Sequence, residues 1–224
     1  MKKTCKIVLL VLTAILITVT AILYRQHPLK VLPLYISLVV GFLQTSANRY
    51  SLLLGSINSI IYTVVFLIMG LYASAAQSFF FSCLFQFASF ILWNKRKSGH
   101  STRFRKLSWP ARIVIAIGFV GAFAVVSLLL GKAGSSYQVL DSLNSLLGAL
   151  VSVLTLFAFI EYSWLMMPSG IIALLLYIST MRNNPAEVTF VIFSIYSLAC
   201  VTQGFFSIRK LYAAQQKEES VSER

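Results

Sequence analysis

Eight long apolar stretches, joined by short polar connectors, constrain the fold of this chain more than any other feature. They cover residues 7–24, 31–47, 50–72, 75–93, 113–130, 139–160, 162–180 and 188–208. Each stretch is about long enough to cross a hydrocarbon core of roughly 30 Å as a helix. A backbone in lipid must satisfy its own hydrogen bonds, so helix is the expected state of all eight. We therefore predict an all-α polytopic membrane protein with eight transmembrane helices.

The composition leaves little of the chain outside the membrane. Of the 224 residues, 58% are hydrophobic and 11% are charged, so spans and turns consume nearly the whole sequence. A soluble catalytic domain does not fit, and any function must lie within the membrane. The net charge of +13 would suit a nucleic-acid-binding protein, but the basic residues lie in connectors and termini. Membrane topology explains them there, and we expect no nucleic acid among the partners.

The basic residues divide unequally between the two sides of an eight-span chain. Fifteen Lys and Arg residues fall on the side of both termini and of the 94–112 loop. The four on the other side are Arg25, Lys30, Lys132 and Arg182. Because cytoplasmic segments carry the excess of Lys and Arg, we expect both termini and this loop in the cytoplasm.

The first apolar stretch has two interpretations. Lys2, Lys3 and Lys6 followed by an apolar run resemble a secretory signal peptide. The run is long, however, and ends at Tyr24-Arg25-Gln26-His27 without a small-x-small cleavage site. We therefore expect residues 1–30 to form a retained N-terminal helix rather than a cleaved signal.

A weak internal repeat organises the remaining chain. An offset of 112 to 115 residues places Tyr50-Ser51 on Tyr162-Ser163 and Phe81 on Tyr196. The predicted parts are a first three-helix repeat at 31–93, the basic cytoplasmic loop at 94–112, a linker helix at 113–130, a second three-helix repeat at 131–210 and a polar cytoplasmic tail at 211–224. One intervening helix lets the two units point the same way across the membrane, which gives a 3+1+3 core of parallel repeats.

Uncharged polar side chains within the spans are candidate ligand contacts. A polar group in lipid is costly unless it faces protein or water, and amides supply oriented donors and acceptors for a neutral or polar solute. The alternative role for each of them is a hydrogen bond between helices. Asp141 and Glu161 bracket the sixth span, one at each membrane face, and His27 and His100 lie in connectors. Without a titratable acid or His at the midplane, facilitated diffusion needs fewer assumptions than proton coupling.

The fourth span carries an aromatic and amide stripe. The residues at helical spacing on one face are Phe79, Ser82, Gln86, Phe90 and Trp93. Such a face can stack a flat ring and hydrogen-bond its edge. Gln77 precedes Gln86 by nine residues, about 180° around an α-helix, so the two amides should not face the same cavity. The alternative is a face that packs on other helices and ends in an interfacial Trp.

Short motifs along the chain resemble those of a transporter family. They are Leu71-Tyr72-Ala73 with Gln77 nearby, Ser89-Phe90-x-x-Trp93, Asp141-Ser142-Leu143-Asn144-Ser145, Glu161-x-x-Trp164 and Gly204-Phe205. In this order, from about Leu34 to Arg209, the chain resembles the PnuC family of bacterial vitamin permeases, of the nicotinamide riboside and nicotinamide mononucleotide transporter type. It departs from the family pattern at Phe90, where the family has Trp, and at Met166 or Met167, which occupies a second Trp position.

The resemblance implies a non-enzymatic permease in the bacterial cell membrane. The implied activity is facilitated uptake of a ring-containing vitamin or nucleoside, nicotinamide riboside or a related vitamin such as thiamine. The implied partners are this solute, the lipid bilayer and a cytosolic kinase that traps the solute by phosphorylation, and a homo-oligomer is compatible with the sequence. We expect no cofactor, no catalytic residues and no metal ligands. The candidate substrate-binding residues are Asn58, Gln77, Gln86, Phe90, Trp93, Asn144, Trp164, Tyr196 and Gln203.

The rival hypothesis is a membrane protein that does not transport. A membrane-embedded enzyme component would need a convergent acid, base or metal set, which the spans lack. An integral membrane subunit would need a partner surface, which one sequence does not reveal.

Overall fold

A computed structural model describes residues 3–46, 48–95, 97–98, 101–102, 104–135 and 137–222. Nearly all of them are helical. The helices are α1 (Lys3–Leu23), α2 (Pro28–Gln44), α3 (Tyr50–Ile68), α4 (Tyr72–Gln77), α5 (Leu84–Lys95), α6 (Trp109–Lys132), α7 (Gln138–Leu156), α8 (Glu161–Asn183) and α9 (Val188–Ser222). A π-helical segment, Ser78–Cys83, joins α4 to α5, and a 3-10 turn, Pro185–Glu187, precedes α9. Two-residue strands β1 (Lys97–Ser98) and β2 (Ser101–Thr102) pair antiparallel.

Seven segments of the described chain are long and apolar enough to cross a membrane. One of them, Tyr72–Trp93, runs continuously through α4, the π-helical segment and α5. The predicted second stretch is α2, which has 17 residues and is shorter than the other seven. The all-α, polytopic class is therefore confirmed, and membrane crossing by α2 stays a prediction. Met1, Lys2, Arg96, Arg103 and Arg224 of the predicted cytoplasmic segments lie outside the described residues.

Short turns reverse the chain between successive helices, so the helix ends gather at two faces. At one face, the backbone of Arg105 is hydrogen-bonded to Ala158 and Ile160. We call this the loop face, because α5 ends there and α6 begins there. At the opposite face, which we call the far face, Lys30 lies 2.8 Å from Glu187, and Asp141 accepts a hydrogen bond from the backbone of Ser74.

The predicted three-helix units exchange contacts between their first and third helices. In the first unit α3 packs on α2 and on α4–α5, and in the second α8 packs on α7 and α9. Between the units, α2 packs on α9, and α7 packs on α4 and α5. The first turns of α3 and α8 also agree: Ser51 donates to the carbonyl of Asn48, and Ser163 donates to that of Ile160. These are the residues that the predicted offset aligns.

The interior has two apolar clusters, one toward each face. Leu34, Leu71, Leu176 and Phe190 belong to the far cluster and are almost fully buried. The cluster toward the loop face contains Leu52, Trp93, Phe104, Leu154, Ala158, Ile160, Tyr162 and Ile208. In contrast, α6 contacts chiefly α7 and leaves most of its apolar surface exposed, as expected of a helix that faces lipid.

The π-helical segment changes which residues of the fourth span share a face. A π-helix adds about one residue per turn, so residues on its two sides are not related by α-helical spacing. Phe79 is half-exposed, whereas Trp93 is buried. Gln77 lies against Gly148 of α7, while Gln86 lies against Gly55 of α3. The predicted single stripe from Phe79 to Trp93 is therefore wrong at Phe79, and the two amides do face different helices.

Candidate functional site

A cavity of about 90 Å³ lies between the two predicted units, toward the loop face. The end of α2, the start of α3, α5, the end of α7, the start of α8 and the second half of α9 all contribute to its wall. Its polar and aromatic lining consists of Gln44, Asn48, Ser51, Gln86, Trp93, Ser152, Thr155 and Tyr162. The wider depressions along α9 and between α1 and α2 are open grooves on the outside of the bundle.

Trp93 is held rigidly at the cavity wall. Its indole Nε1 donates a 2.8 Å hydrogen bond to the backbone carbonyl of Thr155, in the last turn of α7. The same carbonyl also accepts a 3.0 Å bond from the N–H of Ala158, so the indole uses the second lone pair of an acceptor at the end of the helix. The Trp93 ring centroid lies 6.2 Å from that of Tyr162. Two ring systems, one from each unit, thus border the same space.

Gln86 presents an amide oxygen without a partner. Its buried Oε1 has no hydrogen-bond partner among the described residues. Gly55 faces this oxygen, and a Cβ at position 55 would overlap it. Buried polar groups in native proteins are nearly always paired, so an unpaired amide oxygen in a residue of the cavity wall requires an explanation. A solute that carries a hydrogen-bond donor would satisfy this oxygen.

The cavity is symmetric in its positions and asymmetric in its chemistry. At an offset of 115 residues Gln86 corresponds to Val201 and Trp93 to Ile208, and all four residues line the cavity. The first unit therefore supplies the amide and the indole from α5, while α9 supplies aliphatic surface at the equivalent positions.

The described part of the lining carries no charged side chain. The described residues also contain no group of three His, Cys, Asp or Glu side chains that could hold a metal ion. Ring stacking and hydrogen bonding to amides and hydroxyls are thus the interactions that this cavity offers.

Among the predicted contact residues, the structure brings only Gln86 and Trp93 to the cavity. Phe90 packs on Tyr50, with ring centroids 5.9 Å apart. Gln203 lies in the open groove along α9. The half-exposed Trp164 lies under the guanidinium of Arg209, whose carbon is 4.8 Å from the ring centroid.

The remaining predicted contact residues make hydrogen bonds within the bundle. Asn58 donates to the carbonyl of Pro33 at 3.0 Å, and Tyr196 donates to that of Leu38 at 2.8 Å. The amide of Asn144 donates to Ser74, and that of Gln77 donates to Ser82. Three of these four bonds join different helices, which is the alternative role that the sequence left open. A direct role for these residues in solute binding stays a prediction.

Sequence reasoning missed Tyr162 and Thr155 as parts of the site. The repeat offset had singled out Tyr162, as the counterpart of Tyr50, without placing it at a cavity. Thr155 takes part through its backbone carbonyl. A pattern of apolar side chains along a helix does not indicate which backbone carbonyls a distant side chain will contact.

Comparisons with known proteins agree with this architecture. Residues 27–209 match the profile of the nicotinamide mononucleotide transporter family. The fold is similar to the crystal structure of the vitamin B3 transporter PnuC, with a TM-score of 0.79 and 17% sequence identity over 93% of this chain and 92% of that chain. A comparison with curated proteins gives no match. The expected resemblance to PnuC is confirmed, and the chain belongs to the nicotinamide mononucleotide transporter family of multi-pass membrane proteins.

Proposed function

We propose that this protein is a permease for facilitated uptake of a ring-containing vitamin or nucleoside, with nicotinamide riboside as its substrate and thiamine as the nearest alternative. The observation that carries the proposal is the cavity in which Trp93 and Tyr162 offer ring surfaces and Gln86 offers an unpaired amide oxygen. Nicotinamide joins a flat aromatic ring to a carboxamide. It therefore needs both a stacking surface and an amide partner.

The charge of the lining favours the riboside over the mononucleotide. A phosphate monoester carries about −1.5 to −2 charges at neutral pH, and burying it without a cation is costly. No Lys or Arg is present in the described lining of this cavity. The riboside has no phosphate, so it enters the cavity without the cost of burying an unpaired negative charge.

Transport by this protein would require the two units to move apart. The cavity volume of about 90 Å³ is well below the roughly 300 to 1,000 Å³ of pockets that hold drug-sized ligands. We infer a 3+1+3 core of parallel repeats, preceded by α1, whose halves rock about the cavity and expose it alternately to each side. In this arrangement α2 also crosses the membrane and brings the number of spans to eight, because its 17 residues reach about 25 Å as a helix.

Phosphorylation by a cytosolic kinase would drive net accumulation. The described cavity lining contains no acid or His that could couple uptake to protons. Both termini and the loop face are assigned to the cytoplasm, since that side carries most of the Lys and Arg. A kinase there would hold the free solute at low concentration.

Uptake into proteoliposomes that contain only the purified full chain tests this function. We expect uptake of radiolabelled nicotinamide riboside to equilibrium without ATP or an ion gradient, and an unchanged initial rate with an uncoupler. Unlabelled riboside should compete, thiamine less so, and the mononucleotide least. Protein-free liposomes are the control. No uptake of any of these solutes would reject the permease, and dependence of the initial rate on a proton gradient would reject facilitated diffusion.

A further inference from the structure

Residues 104–107, which we call the strap, run along the connector between α7 and α8. The N–H of Arg105 donates to the carbonyl of Ala158 at 2.9 Å, and the carbonyl of Arg105 accepts from the N–H of Ile160 at 2.9 Å. Ala158 presents its carbonyl from a backbone with φ of 56°, a conformation that residues other than Gly rarely adopt. The connector is therefore shaped to receive the strap as a short parallel bridge.

Both ends of the strap are also fixed to the second unit. The N–H of Phe104 donates to Gln215 Oε1 of α9 at 3.1 Å. At the other end, the N–H of Leu107 donates to Glu161 Oε1 at 3.1 Å, and the same carboxylate oxygen lies 2.6 Å from the guanidinium of Arg112. Each strap bond named here thus goes to α8, to α9 or to the connector between α7 and α8.

The Phe104 ring joins the strap to the cavity wall. Its centroid lies 5.8 Å from that of Trp93 and 6.3 Å from that of Tyr162, and the residue is only 7% exposed. Trp93 and Tyr162 line the cavity, whereas Phe104 does not, so its ring covers them from outside. Of these two partners, Tyr162 belongs to the second unit, to which the strap is bonded, and Trp93 belongs to the first unit. The contact between Phe104 and Trp93 therefore crosses the boundary between the units.

We propose that the strap is the gate that closes the cavity at the loop face, with Phe104 as the gating residue. The proposal rests on the function proposed above and adds the means by which one entrance is controlled. When the units separate at this face, the strap moves with α8 and α9 through its backbone bonds. The contact between Phe104 and Trp93 is then lost and the cavity opens. The gate opens without refolding, because the strap keeps its backbone bonds and only ring contacts of Trp93 with Phe104 and Tyr162 and its bond to Thr155 have to part.

Cys200 lines the cavity and is 5% exposed, so the rate at which it is labelled reports opening without requiring transport. We would use the full chain in detergent with Cys5→Ser and Cys83→Ser, and a methanethiosulfonate that carries a trimethylammonium group. Phe104→Ala should speed labelling of Cys200 by about tenfold, because removing a packed ring raises the population of the open state. Gln215→Ala, which removes one strap bond and leaves the ring, should speed labelling by about threefold.

The matched control is Phe157→Ala, which removes a half-exposed ring from the same connector and should leave the labelling rate unchanged. Melting temperatures identify variants in which Cys200 is labelled faster only because the protein is unfolded. If Phe104→Ala does not fold, the labelling rate of Gln215→Ala tests the gate. Unchanged labelling in folded Phe104→Ala and Gln215→Ala would overturn the gate, even if transport is normal. Faster labelling in both variants, in a protein that transports no nicotinamide compound, would support the gate and reject the proposed function.

Discussion

Gln86 combines two properties that rarely occur together in a native protein, since its amide oxygen is buried and also unpaired. A buried polar group that lacks a partner costs about 1 to 3 kcal/mol of stability. The helix α3 tolerates the side chain because Gly55 leaves room for the amide. The free protein thus carries a local cost that a solute could remove on binding.

We predict that Gln86→Ala weakens nicotinamide riboside binding without lowering stability. The truncation removes an unpaired group, so the melting temperature should hold or rise, while affinity falls about tenfold for a loss of about 1.4 kcal/mol. Isothermal titration and thermal melting of the purified protein measure the two quantities.

Gln77→Ala is the matched control for this prediction. Gln77 donates a 2.7 Å hydrogen bond to Ser82 and lies against Gly148, so its loss should lower the melting temperature and leave affinity unchanged. The reverse pattern, in which Gln77→Ala weakens binding and Gln86→Ala does not, would move the site to the other side of the fourth span.

The sequence alone distinguishes only in part between amides that line the cavity and amides that join helices. Every amide within an apolar span is expected to face protein or water, so a pattern identifies Gln86 and Asn58 equally well. Both amide oxygens are buried without a partner, but the Asn58 nitrogen bonds Pro33 and Ser37 on α2, whereas Gln86 borders the cavity. Which amides border the cavity depends on how the helices are rotated against one another, and a single sequence does not contain that rotation.

At the scale of elements, helix positions follow from the sequence, whereas the geometry within the fourth span does not. Apolar length and the cost of unpaired backbone in lipid predict all eight helical stretches, with ends within four residues of those observed except in α9. That helix continues to Ser222, through most of the predicted polar tail, because charged residues outside the membrane are compatible with a helix. The π-helical Ser78–Cys83 has the same apolar composition as an α-helix and leaves no mark in the pattern. The strap was predicted only as part of a basic loop, because its structure comes from backbone bonds to a distant connector.

We predict that the fourth span tolerates deletion of Phe80 far better than deletion of Phe87. A π-helical turn is an α-helical turn with an added residue, so removing the half-exposed Phe80 restores an α-helix and preserves the orientation of α5. Removing the similarly exposed Phe87 rotates the rest of α5 by about 100° and takes Trp93 away from Thr155. Yield and melting temperature after size-exclusion chromatography should stay near wild type for the first deletion and collapse for the second. Equal losses from both would mean that the π-helical turn itself is required.

At the scale of the whole molecule, two clasps hold the units together at the far face. Asp141 at the start of α7 accepts hydrogen bonds from the N–H groups of Ala73 and Ser74 in the first turn of α4. Lys30 at the start of α2 pairs with Glu187 in the 3-10 turn that precedes α9. Offsets of 111 and 113 residues relate the two clasps, and each joins the first helix of one unit to the third segment of the other.

We predict that the Lys30 clasp is more sensitive to an unpaired charge than to loss of the ion pair. Lys30→Met leaves the buried Glu187 carboxylate without its cation and should cost about 2 to 4 kcal/mol of folding free energy. Adding Glu187→Gln should restore most of the lost stability, because an uncharged amide then replaces the unpaired carboxylate. Thermal unfolding in detergent compares the two variants. A double variant no more stable than Lys30→Met would show that the lost attraction, and not the unpaired charge, accounts for the cost.

The orientation of the molecule gives a further prediction. Reporter domains fused after residue 224, or inserted in the loop between residues 98 and 102, should both be cytoplasmic, since Lys and Arg are concentrated on that side. An enzymatic reporter active on only one side of the membrane measures this in whole cells. An external location for either reporter would contradict the eight-span arrangement.

The burial of one indole gives the protein a built-in optical signal. Of its three tryptophans, Trp109 and Trp164 are 70% and 53% exposed, and Trp93 is 5% exposed. With Trp109→Phe and Trp164→Phe, emission would come from Trp93 alone and lie at the short wavelengths typical of an apolar environment. An electron-poor nicotinamide ring stacked on that indole would quench it, whereas an opened strap would admit water and shift the emission to the red. The two events would thus differ in colour as well as in intensity, so a single cuvette could follow binding and gating separately.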